Sequence, residues 1–105
     1  MQSEDTACLV LLEGELDYMM RAEVAAKLPQ PDACTRVVID CSAVTFMDST
    51  IVATILDFQQ RFARFGGNPV NIILIASATI DRIFEVAHVK HLMTVVPAET
   101  PPQHA

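Results

Sequence analysis

With 105 residues, 51% of them apolar, the chain is the length of one domain and can bury a core without disulfides or metal. Seven Lys and Arg stand against thirteen Asp and Glu, and the net charge of −6 repels phosphate backbones and anionic membrane faces, which argues against nucleic acid as a partner. Unbroken apolar runs such as Ile72 to Ala76 fall far short of the roughly 18 residues a spanning helix needs, which excludes direct membrane insertion.

Ala7 to Leu12 is a short apolar run that predicts a buried strand, closed by the turn signal of Gly14. Tyr18 to Leu28 follows as a helix, with Met20, Val24 and Leu28 at steps of four and Pro29 and Pro31 as the stop. Arg36 to Asp40 predicts a second strand. A loop then leads to Asp48-Ser49-Thr50, which starts a long helix over Thr50 to Phe65. Along it Ile51, Ile55, Phe58, Phe62 and Phe65 recur at steps of four, three, four and three, one helical face, which Val52, Leu56 and Ala63 widen. That breadth leaves room for cover by a partner or by a second copy in a homodimer.

Gly66-Gly67 ends the helix, and Asn68-Pro69 leads into a third strand, Val70 to Ala76. Ser77 or Thr79 caps a last helix from about Ala78 to Ala87, with Ile80, Ile83 and Phe84 facing inward, and Leu92 to Val96 forms a short terminal element. Pro97, Pro101 and Pro102 predict a flexible tail over 97–105, leaving 1–96 as the single domain. Strands alternating with helices make the fold class α/β, with a largely parallel four-stranded sheet and packed helices. The pattern does not say whether the helices cover one face or both.

Cys8, Cys34 and Cys41 are odd in number and widely spaced, and read as small buried hydrophobes in a reducing compartment. With an acidic, non-signal-like start, they point to a cytoplasmic protein. His88 and His91 share a helical spacing, but no Cys or carboxylate completes a metal site. No phosphate-binding loop, nucleophile elbow or zinc helix occurs, and no cofactor is expected.

Two segments carry chemistry. Phe46-Met47-Asp48-Ser49-Thr50 places a hydroxyl at a helix start, where it can cap the helix or accept phosphate. Gly14-Glu15-Leu16-Asp17 offers carboxylates before the first helix, with Asp17 read as its cap. In order and spacing these segments, with the apolar pattern of Ile80 to Phe84, resemble the STAS domain of bacterial anti-sigma factor antagonists (anti-anti-sigma factors) over about Ala7 to Val96.

The resemblance implies a non-enzymatic, cytoplasmic phosphoprotein that regulates transcription through signal transduction. Ser49 would be the phosphate acceptor, and Glu15, Asp17, Asp48, Thr50 and Ile51 would contact the partner. That partner is an anti-sigma factor with serine kinase activity, and a phosphatase acting on phospho-Ser49 restores binding. One departure stands out: Ile51-Val52-Ala53 replaces the family's Gly-Leu-Gly, so that Ile51 could obstruct a kinase backbone. This favours an alternative, a non-phosphorylated STAS subunit of a signalling scaffold or membrane transport complex. A reading from another class, a nucleotide-binding or catalytic domain, would use Asp17, Asp40, Asp48 and Ser49 at strand ends.

Overall fold

Apolar runs become strands and stretches of 3.6-residue period become helices, in the order β1 (Ala7–Leu16), α1 (Arg21–Lys27), β2 (Arg36–Met47), α2 (Ser49–Arg64), β3 (Ile72–Ala76), α3 (Ala78–Val86) and β4 (Thr94–Pro97), in a computed structural model that describes residues 6–98. All four strands are parallel, in the spatial order β1-β2-β3-β4. Each crossover steps to the next strand in the same direction. The right-handed rule for such crossovers therefore sends every helix to one face, which settles what the sequence pattern left open.

Burial follows from this. Val10, Leu12 and Leu16, Val37, Ile39 and Cys41, and Ile72, Leu74 and Ala76 alternate inward and join Val24, Ile55, Phe58, Phe62, Ile80 and Phe84 in one core. On the other face Leu9 and Leu11 stand 64% and 59% exposed.

Several boundaries differ from the sequence expectation. Gly14, Glu15 and Leu16, expected in a loop, pair in β1 with Val44, Phe46 and Met47. β2 likewise runs past Asp40 to Met47, and at two register shifts it takes an extra residue against β1. Its buried positions therefore step by three from Cys41 to Val44 to Met47, so the period-two signal of a strand fails there. Gly14, at φ +79°, supplies a conformation that L side chains rarely adopt at this irregular stretch.

Residues 18–20 form a 3-10 turn, and α1 begins only at Arg21. It ends at Lys27, and Leu28 is already extended (φ −76°, ψ 140°) because the following Pro29 disfavours helix. β3 starts at Ile72, not Val70, because the Asn68 side chain accepts from the Val70 N–H (3.2 Å) and turns 69–71 into a 3-10 segment. The expected 97–105 tail lies mostly outside the described residues. Pro97 itself closes β4, and the Ala98 N–H donates to the Ala76 carbonyl at 2.8 Å.

The long-helix stripe holds as far as Phe62. Ile51, Ile55, Phe58 and Phe62 are at most 1% exposed, whereas Phe65 is 62% exposed and Ala63 faces solvent. The cause lies in the turn that follows α2. Gly66 (φ +92°) and Gly67 donate to the Ala63 and Phe62 carbonyls at 3.1 and 2.9 Å, a Schellman-type ending, and this folds Gly67 onto the Phe62 ring. Phe62 thus closes the core and Phe65 stays outside it. α3 ends in the same way on His88, a non-glycine residue at φ +62°.

The cysteine reading needs correction. Cys8 and Cys34 form a disulfide that ties the start of β1 to the segment before β2. Cys41 alone is a free, buried thiol, its pKa pushed up to about 12 first by burial and then by the Asp40 charge.

Three outcomes test this packing. Phe62→Ala should cost about 3–5 kcal/mol in chemical denaturation. Gly67→Ala should also destabilise, because its Cβ would overlap the Phe62 ring, and a midpoint unchanged from wild type would refute that contact. Reducing Cys8–Cys34, which closes a 26-residue separation, should lower stability by roughly 3 kcal/mol without unfolding the domain.

Candidate functional site

At the C-terminal edge of β1 and β2 the paired residues Leu16 and Met47 are each followed by an aspartate. The Asp48 N–H donates to the Leu16 carbonyl at 3.1 Å, fastening the two strand ends together. Asp17 and Asp48 are therefore neighbours at one edge. Both act as caps: Asp17 Oδ1 accepts from the Met19 N–H at 3.0 Å, and Asp48 Oδ1 accepts from the Thr50 and Ile51 N–H groups at 3.0 and 3.2 Å.

Asp48 thereby takes the capping position that the sequence reading offered to a hydroxyl. Ser49 becomes the first residue of α2 with its side chain exposed, and among the described residues its hydroxyl has no hydrogen-bond partner. Thr50 is half-buried, its carbonyl accepting from the Thr54 hydroxyl at 2.9 Å. The Asp48 carboxylate thus sits on the positive end of the sixteen-residue helix, beside Ser49.

The sequence-derived candidates divide clearly. Glu15 and Asp17 are exposed, Asp48 and Thr50 half-buried and Ser49 exposed, at or beside the C-terminal ends of β1 and β2. Ile51 does not belong with them: it is fully buried, its side chain turned into the core and away from any partner. The same burial removes the expected obstruction to a kinase backbone, since of Ile51-Val52-Ala53 only Ala53 faces solvent. The wide apolar face of α2 is also explained, because Ile51 and Phe58 are core residues and not surplus surface.

Asp40 is not at a strand end. It lies within β2, paired with Leu11 and Ile75 and out of phase with buried Ile39 and Cys41, so the four residues of a nucleotide site are not brought together. Asp57 pairs on the surface with Arg61 (3.1 Å), and among the described residues no group of three His, Cys, Asp or Glu could hold a metal ion.

Two features escaped the sequence reading. Tyr18 and Met19, directly after Asp17, are 52% and 79% exposed, with the Arg21 guanidinium 3.9 Å over the Tyr18 ring. Their signal was present, since both fall off the Met20, Val24, Leu28 stripe. The second is a groove between α2 and α3, lined by Ser49 at the helix start and otherwise mostly by apolar side chains.

Comparison with known proteins follows this geometry. No curated protein matches the chain in sequence. Among solved structures it is similar to phosphorylated SpoIIAA, a Bacillus cell fate determinant (TM-score 0.64, 22% identity, covering 91% of this chain and 87% of that one). It is equally similar to the anti-sigma factor antagonist SpoIIAA in its unphosphorylated form (TM-score 0.64, 21% identity, covering 94% and 86%). At these identities the likeness establishes the fold. The family model described as "Mlab, STAS domain" matches residues 1–95, nearly the whole sequence, and the chain belongs to the STAS-domain family.

Proposed function

We propose that this protein is an anti-sigma factor antagonist, a non-enzymatic interaction protein that binds a kinase-like anti-sigma factor and is released when Ser49 is phosphorylated. One observation carries the reading: Asp48 caps α2, so the Ser49 hydroxyl is exposed and uncommitted. The STAS family and a fold shared with SpoIIAA, solved in phosphorylated and unphosphorylated forms, support it.

A phosphate on Ser49 would add about −1.5 to −2 charge at a helix N-terminus, which tolerates an anion. The domain keeps its shape. The partner instead meets a new dianion beside Asp48 and Asp17, which it must desolvate or match with a cation. A phosphatase acting on phospho-Ser49 would reset the switch, and transcription would follow the free anti-sigma factor. The reading places this cycle in the cytoplasm, where the Cys8–Cys34 disulfide would be open to reduction.

The alternative, a constitutive STAS subunit of a signalling scaffold or transport complex, is supported equally by the family match, and of the three residues that replace Gly-Leu-Gly only Ala53 faces solvent.

Incubation with the anti-sigma kinase and ATP should place phosphate on Ser49 and not Thr50. Ser49→Ala should then bind the kinase persistently, and Ser49→Asp poorly with near-native circular dichroism. Binding retained by Ser49→Asp, with no phosphate at Ser49, would leave the constitutive reading standing. Asp17→Ala should weaken kinase binding while lowering stability by only about 1 kcal/mol. If affinity is intact and stability falls, Asp17 is a cap and nothing more.

A further inference from the structure

Ser49, Val52, Ala53 and Leu56 of α2 line one wall of a groove of ≈ 670 Å³. Thr79, Arg82, Ile83 and Val86 of α3 line the opposite wall. Both sets follow the spacing i, i+3, i+4, i+7, so each is a single helical face. α2 and α3 follow adjacent parallel strands, β2 and β3, and the groove therefore runs from a polar end at Ser49 and Thr79 to an apolar end at Leu56 and Val86. Val86 is 67% exposed, and Leu56 and Ile83 are half-buried.

Arg82 is the one charged residue of the lining. Among the described residues it has no ion-pair partner, whereas its neighbour Asp81 is held by Lys90 at 2.9 Å. The groove thus presents an unneutralised cation within an apolar slot on a chain of net charge −6.

Its walls are the sides of helices, with backbone groups already paired internally, so an extended segment would find no strand edge to join. An occupant has to satisfy its own backbone, which a helix does. The seven-residue span from Ser49 to Leu56 corresponds to roughly 10 Å, or two helical turns.

We propose that the α2–α3 groove seats an amphipathic helix of the partner, with an apolar stripe on the groove floor and a Glu or Asp paired with Arg82. The partner assignment rests on the reading of Ser49 as the switched surface and adds to it a means of release. Ser49 and Arg82 line the same groove, and a phosphate on Ser49 would compete with the partner's carboxylate for the guanidinium.

The test uses two bridged helical peptides of three turns. Each carries Leu at i, i+3, i+4 and i+7, and they differ only in having Glu or Lys at the position facing Arg82. Titrated into the full chain and followed by amide chemical shifts, the Glu peptide should perturb Val52, Ala53, Ile83 and Val86 and bind at least tenfold more tightly than the Lys peptide. Arg82→Glu should reverse that preference. Val86→Asp, at an exposed position, should abolish binding with unchanged circular dichroism.

Shifts elsewhere, no saturable binding, or affinities blind to the Glu-to-Lys exchange would overturn the proposal. So would a concentration-dependent dimer that protects the groove, because a second copy would then be the occupant. Kinase binding that survives both Val86→Asp and Arg82→Glu overturns this proposal and leaves the proposed function intact. Charge-selective peptide seating together with a kinase that neither binds nor phosphorylates the chain overturns the proposed function and leaves the groove as a helix-binding site.

Discussion

The carboxylate of Asp48 holds the rest of the site in place. Its two bonds to the Thr50 and Ile51 N–H groups start α2 at Ser49, and its own N–H fastens the end of β2 to the Leu16 carbonyl at the end of β1. The first bonds set the helix register that buries Ile51, Ile55, Phe58 and Phe62 together. The other brings Asp17 beside the helix start. With the cap occupied by Asp48, the Ser49 hydroxyl is left without an internal role, and a group with no structural duty can be modified without disturbing the fold.

The topology explains why the accessible chemistry collects where it does. Strands laid down in sequential order with same-handed crossovers place all helices on one face and all helix starts at one edge. Ser49 and Thr79 therefore sit at the same end of neighbouring helices, and the surface stripes of those helices frame a groove between them. An open α/β sheet usually binds its ligands at this edge. Here the site offers carboxylates, a hydroxyl, a guanidinium without an ion-pair partner among the described residues, and apolar walls, which suit a protein surface better than a nucleotide.

Helical periodicity was the most legible part of the sequence. The α2 stripe, the Gly66-Gly67 ending and the α3 core residues follow directly from spacing and turn chemistry. The extension of β1 and β2 was hidden, because bulges change the inward step from two to three at Val44 and Met47 and remove the alternation that marks a strand. Phe65 misled because the stripe continues in sequence for one residue beyond the helix. The Cys8–Cys34 pair was invisible because 26 residues of separation say nothing about proximity until β1 and β2 are known to pair in parallel from Ala7 and Arg36. Arg82 went unnoticed because a lone arginine among core-facing residues of α3 acquires meaning only from the stripe opposite.

The separation of roles between Asp48 and Ser49 is open to direct measurement by equilibrium unfolding of the two alanine variants at neutral pH. Removing the cap should cost roughly 1–2 kcal/mol in Asp48→Ala, while Ser49→Ala should stay within about 0.5 kcal/mol of wild type. A loss in Ser49→Ala equal to or larger than that in Asp48→Ala would show that the serine hydroxyl caps α2, and would contradict the account of an uncommitted hydroxyl.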